Sequence, residues 1–152
     1  MAGIARIVGG ESLEKALLRA FEDWTEEDVN DRYWRERFEK KYKYPGAITV
    51  RKNGERAGDP RNILDTEALY ESGVDSYDYE KGEFEALATW HWNAKNSSGI
   101  EYAWYVHEGE GPYSRVPRRW TDEFQSDYLF ETSDIKGELM DRMGTELAKI
   151  KP

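Results

Sequence analysis

Hydrophobic and polar positions follow two periodicities along this chain, and each periodicity predicts a different kind of secondary-structure element. Apolar and polar residues alternate through residues 84 to 92, which is the period of a half-buried β-strand. A second apolar arm at residues 100 to 107 follows a polar segment that contains Gly99. We therefore expect an aromatic β-hairpin over residues 84 to 109, and we expect the rest of the fold to be organised around it.

Helical spacing dominates both ends of the chain. A first helix is predicted from about Ser12, where apolar residues recur every three or four positions up to Trp24. Thr25 is expected to cap a second helix, because acidic residues follow it and lysines precede the stop at Tyr44-Pro45-Gly46. The pattern allows two helices or one bent helix over residues 12 to 43. A last helix is indicated by apolar residues at every fourth position: Ile135, Leu139, Met143 and Leu147.

Short strands and turns are predicted between these helices. Residues 47 to 51 are rich in β-branched side chains and precede the tight-turn pair Asn53-Gly54. Asp65 or Thr66 is expected to cap a short helix that Gly73 ends.

Two extended runs, residues 74 to 80 and 83 to 92, meet at Lys81-Gly82 and are expected to pair antiparallel. With the arm at residues 100 to 107 they predict a meander of three strands. The predicted fold class is α+β, with an antiparallel sheet, a meander or hairpin, packed against N-terminal and C-terminal helices.

Length bounds the organisation of the chain. At 152 residues it is expected to form a single domain with one core. The predicted parts are a flexible arm at residues 1 to 10, a helical part at 12 to 43, a mainly β part at 46 to 109 with a short helix at 65 to 72, and a helical part at 118 to 150.

Composition narrows the classes of function. The formal net charge is −9 and the pI is near 4.9, which argues against DNA as a direct ligand, because phosphate contacts use clustered Lys and Arg. The absence of cysteine removes disulfides, thiolate nucleophiles and cysteine zinc sites. No secretion signal and no membrane span are expected.

Catalytic and metal-binding patterns are weak. His91 and His107 are the only histidines, and Glu85, Glu101 and Glu108 lie nearby in sequence, which makes a two-His plus carboxylate metal site conceivable. In the simplest hairpin register, however, the two rings fall near opposite ends of the arms. No phosphate-binding loop, dinucleotide fingerprint or nucleophile elbow is present, so we expect neither enzyme activity nor a cofactor. His107 is instead expected at a strand end, with its ring in a structural or intersubunit hydrogen bond.

Arginine and tryptophan point to protein contacts. A basic cluster at Arg115, Arg118 and Arg119 beside Trp120 stands out against the acidic background, and both residue types are favoured at interface hot spots. Six Trp and ten Tyr are a heavy aromatic load for 152 residues, and the hairpin carries a dense share of it. The candidate subunit-interface residues are Trp90, Trp92, Trp104, Tyr105, His107, Arg118, Arg119 and Trp120.

Two stretches resemble the tail-completion (neck) proteins of tailed bacteriophages, the small subunits that connect head to tail. Residues 61 to 72, RNILDTEALYES, resemble the Asp-Thr-Gly-x-Leu-x-x-Ser helix of that family, with Glu67 where the family has Gly. Residues 102 to 109, YAWYVHEG, resemble its Tyr-Ala-x-x-Val-(His/Glu)-x-Gly strand end. A Pro-and-Arg segment at residues 116 to 120 and a C-terminal helix follow in the same order. The matching motif residues are Asp65, Thr66, Leu69, Ser72, Tyr102, Ala103, Val106 and Gly109.

The resemblance implies a structural virion protein of the neck, assembled in the host cytoplasm into a ring that is expected to be a hexamer. Its partners would be copies of itself and other neck and tail proteins. DNA would pass through the axial channel without specific binding, and no membrane is involved. The acidic charge agrees with that role, because negative walls do not bind phosphates.

Three other functions stay open at this point. A tail terminator or a head-completion stopper would share the size, composition and ring assembly. A monomeric metal-dependent hydrolase would use His91 and His107. A soluble binding module would hold a small ligand in a pocket lined by Trp90, Trp92 and Trp104.

Overall fold

The fold is α+β, as the sequence pattern predicts. The computed structural model describes residues 10 to 40, 67 to 83, 85 to 110, 117 to 131 and 134 to 150. The predicted arm up to residue 9, the strand at 47 to 51 and the Asn53-Gly54 turn lie outside this part. The elements in chain order are α1 (Gly10–Asp23), a π-helical segment (Trp24–Tyr33), α2 (Trp34–Glu39), α3 (Ala68–Asp75), β1 (Asp78–Lys81), β2 (Ala86–Thr89), α4 (Ala103–Glu108), α5 (Trp120–Phe130) and α6 (Ile135–Ala148).

One continuous helix runs from residue 10 to residue 39, so the prediction that Thr25 caps a second helix is wrong. The backbone at Asp23 is already helical, with φ −61° and ψ −39°, and no free helix end exists there to be capped. The Thr25 side chain is buried instead. Its hydroxyl donates to the carbonyl of Glu22 (2.9 Å) and shares a hydrogen bond with the Tyr77 hydroxyl (2.7 Å).

The π-helical winding explains why the apolar side chains of this helix are spread too widely for one α-helical stripe. The N–H of Trp34 donates to the carbonyl of Val29, five residues back, and such bonds widen the turn. Side chains four and five positions apart then share a face. The buried row accordingly reads Trp24, Val29, Tyr33, Trp34 and Phe38.

The predicted antiparallel pairing of the two extended runs is confirmed. β1 pairs with β2 in a register that places Asp78 opposite Thr89 and Lys81 opposite Ala86. The N–H of Gly82 donates to the carbonyl of Glu85 (2.8 Å) and closes the turn.

The prediction of a third strand at residues 100 to 107 is wrong. The segment after Gly99 forms a single bridge, Lys95 to Glu101, and then turns into α4. The physical reason is the spacing of its core contacts: Tyr102, Ala103 and Val106 pack against the core, which is a helical period. The sheet formed by the described residues therefore has two strands.

Helix α3 also differs from its predicted bounds. Glu67, rather than Asp65 or Thr66, precedes its first residue and adopts a left-handed backbone with φ 65°. The helix continues past Gly73 to Asp75. Gly73 is needed for close packing and not as a helix stop, because a Cβ at this position would overlap the indole of Trp92.

Aromatic rings form the centre of the core, and Trp34 is the ring that the others surround. Its centroid lies 4.9 Å from that of Trp92, 5.7 Å from that of Trp90 and 5.3 Å from that of Phe124. These rings come from β2 and its continuation and from α5. The long N-terminal helix is thereby fixed to both.

Polar contacts hold α5 and α6 to the same helix. The Tyr33 hydroxyl donates to Asp127 of α5 (2.7 Å), which also accepts from Arg37 (3.3 Å), and burial together with Asp127 raises the pKa of Tyr33 far above its usual value. On α6, Arg142 pairs with both Asp28 and Glu27 (2.7 Å each).

The predicted apolar row of α6 faces the core from its start as far as Met143. Ile135 and Leu139 are buried, Met143 is packed against the core, and Leu147 is 37% exposed. The indole N–H of Trp24 donates to the carbonyl of Ile135 (2.8 Å), so the start of α6 is tied directly to the N-terminal helix.

Replacing the central ring should destabilise the whole chain. We expect Trp34→Ala to lower the free energy of unfolding by about 3 to 5 kcal/mol, because it removes a buried aromatic side chain and leaves a cavity among the rings of Trp90, Trp92 and Phe124. Phe130→Ala is the matched control, since Phe130 is 74% exposed and its loss should change stability by no more than about 0.5 kcal/mol. Urea denaturation followed by tryptophan fluorescence and far-UV circular dichroism measures both, and equal effects would contradict the central role of Trp34.

Candidate functional site

The candidate site lies where α4 meets the start of α5, and it contains most of the residues that the sequence singled out. Gly109 ends α4 with a left-handed φ of 73° and donates its N–H to the carbonyl of Tyr105. The N–H of Arg118 then donates to the carbonyl of His107 (2.9 Å). This bond ties the residues just before α5 to the last turn of α4.

His107 is the centre of this junction. Its Nδ1 lies 2.7 Å from Oε1 of Glu108, and its Nε2 lies 2.8 Å from Oγ1 of Thr121. Two indoles lie near the imidazole: the Trp120 ring meets it edge-on with the centroids 4.9 Å apart, and the Trp104 ring is nearly parallel to it with the centroids 6.4 Å apart. His107 is thus in a helix and not at a strand end as predicted, while its ring makes structural hydrogen bonds within the subunit.

Glu108 links the histidine to a cation. One carboxylate oxygen binds His107, and the other accepts from Arg119 (2.9 Å). The hydrogen bond from His107, supported by Arg119, lowers the pKa of Glu108 below its usual range. A charged carboxylate at this position fixes the orientation of the imidazole.

Two of the eight interface candidates are clearly exposed aromatics. Trp104 is 63% exposed and Tyr105 is 45% exposed, and they are neighbours on α4. Arg119 is also exposed, although its guanidinium is engaged by Glu108.

Two candidates must be corrected, because the fold buries them inside the subunit. Arg118 is fully buried and Trp120 is 2% exposed, with the Trp120 ring 5.1 Å from Phe38 and 5.8 Å from Trp92. Trp92 and Trp90 are half-buried and pack on the core through Trp34. Arg115 of the predicted basic cluster lies outside the described residues.

The residues of the two family-like stretches take structural positions. Leu69 is buried, and the Ser72 hydroxyl donates to its carbonyl (2.8 Å). Tyr102, Ala103 and Val106 form the core-facing side of α4, and Gly109 ends that helix. Asp65 and Thr66 lie outside the described part of the chain.

No grouping suited to a metal ion occurs among the described residues: none holds three or more His, Cys, Asp or Glu side chains together. The two histidines have different neighbours. His91 is exposed and its backbone N–H donates to the Ser76 hydroxyl (2.6 Å), whereas the His107 ring is engaged by Glu108 and Thr121.

An apolar cleft of about 240 Å³ opens between the N-terminal helix, β2 and the C-terminal helices. Trp90 lines it, but Trp92 and Trp104 do not, so it is not the three-tryptophan pocket that the binding-module alternative predicts. Its lining residues are Phe21, Trp24, Thr25, Ala88, Trp90, Phe124, Tyr128 and Leu139.

Sequence reasoning missed Thr121 and the exposed apolar residues of α5 and α6. No motif spacing connects Thr121 to His107, so only the helix junction reveals the pair. Leu129, Phe130 and Met140 are 57%, 74% and 58% exposed. The sequence does carry a sign that Leu129 and Phe130 are exposed, because neither falls on the row of residues that Phe124 and Tyr128 form toward the core.

Family models, curated proteins and solved structures were all searched, and none matches this chain. Within the described residues, no helix combines the length and the apolar character that crossing a membrane would require.

The ionised form of Glu108 should stabilise the fold in a pH-dependent way. Its pKa is lowered on folding, so its contribution is present above the ordinary carboxyl pKa of about 4.3 and is lost as the pH falls through the lowered value. We expect Glu108→Gln to be less stable than the parent chain at pH 7, and the difference to vanish in acid. Urea midpoints at several pH values measure this.

Glu83→Gln is the control for that titration, since Glu83 lies exposed in the hairpin turn. It should leave the urea midpoint unchanged at each pH. A Glu108→Gln chain as stable as the parent at pH 7 would show that the contacts with His107 and Arg119 do not stabilise the junction.

Proposed function

We propose that this chain is a structural subunit of the neck of a tailed bacteriophage and that it assembles into a ring through the outer face of α4. The observation that carries the proposal is the exposed pair Trp104 and Tyr105, 63% and 45% accessible, inside the stretch that resembles the family. The opposite side of the same short helix is packed on the core.

Physical reasoning favours a protein contact for this face. Neighbouring large aromatic side chains left in water are unfavourable, and they are enriched at the centres of protein interfaces. Trp104 and Tyr105 have only two side-chain torsions each, so they lose little side-chain entropy on association. Arg119 at the edge of the face supplies a polar rim.

The order of the two family-like stretches and the C-terminal helix supports the neck assignment. One difference from the family pattern concerns geometry: residues 102 to 109 form α4 and its glycine end instead of a strand end. The aromatic residues at its two variable positions, Trp104 and Tyr105, are the ones that face outward.

A passage for DNA is compatible with the charges of the junction. Arginines that line a channel would bind DNA phosphates. Arg118 and Arg119 of the basic cluster are not free to do so, because Arg118 is fully buried and Arg119 is paired with Glu108. With a net charge of −9, the ring would repel DNA and let it slide.

A tail terminator or a head-completion stopper is the second candidate function. Both would use the same kind of ring, and their neighbours in the virion would differ. Which neck protein the ring binds therefore distinguishes them.

Removing the exposed rings should weaken assembly and leave the subunit folded. We expect Trp104→Ala and Tyr105→Ala each to raise the protein concentration needed for ring formation at least tenfold, as loss of an interface hot spot does. Native mass spectrometry measures this on the protein alone and after mixing with the capsid-side and tail-side neck proteins encoded beside it, since a partner can be needed to template the ring.

Leu87→Ala is the matched control for that experiment. Leu87 is an exposed apolar residue of β2, 55% accessible, away from α4 in the chain. Its loss should leave assembly unchanged. A parent chain that stays monomeric with both partners, or α4 variants that assemble as well as Leu87→Ala, would contradict the proposal.

A further inference from the structure

Thr121, His107 and Glu108 are joined in one line of hydrogen bonds. The Thr121 Oγ1 to His107 Nε2 distance is 2.8 Å, and the His107 Nδ1 to Glu108 Oε1 distance is 2.7 Å. We propose that these three side chains are a nucleophile, a general base and the carboxylate that orients the base, and that they cleave small carboxylic esters. This activity is separate from the ring-forming role of α4.

The chemistry of the three groups fixes where the protons are. A carboxylate only accepts hydrogen bonds, so Nδ1 of His107 carries the proton that binds Glu108. In the neutral imidazole, Nε2 is then the acceptor, and the Thr121 hydroxyl donates to it. An oriented imidazole whose free nitrogen faces a hydroxyl is the arrangement that activates a nucleophile.

The nucleophile is accessible while its base is sheltered. Thr121 is exposed, whereas the side chain of His107 is 12% accessible and that of Glu108 is 17% accessible. Trp120 packs edge-on against the imidazole, and Trp104 lies nearby. This shelter holds the ring in one orientation and limits competition from water for its hydrogen bonds.

The position of Thr121 in α5 provides stabilisation for a negative charge. Thr121 and Asp122 belong to the first turn, whose backbone N–H groups have no acceptors within the helix. Arg119 precedes the helix without a side-chain cap. An oxyanion that forms on a substrate at Thr121 can therefore accept from these N–H groups at the positive end of the helix dipole.

The surroundings also define the substrate class. Thr121 lies exposed, so a small substrate can reach its hydroxyl. Asp122 in the same turn and the net charge of −9 disfavour an anionic ester. The site therefore fits a small neutral ester.

The reaction balances with water as the second reactant. The Thr121 oxygen attacks the ester carbonyl carbon, and its proton moves to Nε2 of His107. The C–O bond to the alcohol breaks, and His107 returns that proton to the leaving oxygen, which leaves an acyl-Thr121. Water then attacks the acyl carbon, gives a proton to His107, and releases the carboxylic acid as Thr121 recovers its proton.

The test uses the purified full chain and 4-nitrophenyl acetate, with nitrophenol release followed by absorbance and the acyl group located by peptide mass spectrometry. We expect an acetyl group on Thr121. We expect Thr121→Val and His107→Gln to lower kcat about 100-fold, the scale of general-base catalysis, and Thr121→Ser to retain it. Glu108 is a positioning residue, so Glu108→Gln should lower kcat with KM unchanged.

His91→Gln is the matched control, because His91 is the other histidine of the chain and is exposed; it should hydrolyse the ester at the parent rate. Acetylation at another residue, or a His107→Gln rate equal to that of His91→Gln, would overturn the proposal. If Thr121→Val fails to fold, the acetyl position in the parent chain and the activity of Thr121→Ser still decide it.

Native mass spectrometry separates this proposal from the structural one. Thr121→Val should assemble like the parent chain while losing hydrolysis, and Trp104→Ala should show the loss of assembly whether or not hydrolysis is found. A chain that hydrolyses the ester without forming rings would keep the catalytic proposal and remove the neck proposal.

Discussion

The packing of aromatic rings around Trp34 is the interaction on which the rest of the structure depends. Its neighbours Trp90, Trp92 and Phe124 come from segments far apart in the chain, so one residue organises the hairpin continuation and α5 against the N-terminal helix. The chain is strongly polar, with a mean hydropathy of −0.92. A core rich in large aromatic side chains compensates for this, since each such ring buries about 150 to 250 Å².

The same packing builds the α4 and α5 junction. Trp120 packs in the core against Phe38 and Trp92, and this places the next residue, Thr121, at the surface at the start of α5. His107 also contacts Trp120, so the core ring is also a wall of the site. The contact between imidazole and hydroxyl thus follows from how a tryptophan fills the interior.

The sequence predicts the features that depend on local periodicity. The antiparallel pairing across Lys81-Gly82 and the core row that starts at Ile135 and Leu139 follow from spacings of two and four, and both are found. The arm at residues 100 to 107 fails because a short apolar run fits a strand and a helix equally well, and the contacts of Tyr102 and Val106 with a distant core decide between them. Arg118 and Trp120 are predicted at the surface for a related reason. Charged residues in a sequence usually indicate exposure to solvent, and the burial of these two residues becomes visible only in the fold.

The wide winding of residues 24 to 33 has a consequence for how this chain tolerates changes in length. The π-helical bonds between Trp24 and Tyr33 set the angular position of everything that follows in the helix. Losing or gaining one residue there would turn α2 by about 100° about its axis. Phe38 would leave the core, and Arg37 would leave Asp127. The number of residues in this stretch is therefore constrained by the packing of the whole helix, beyond the identity of the side chains that it buries.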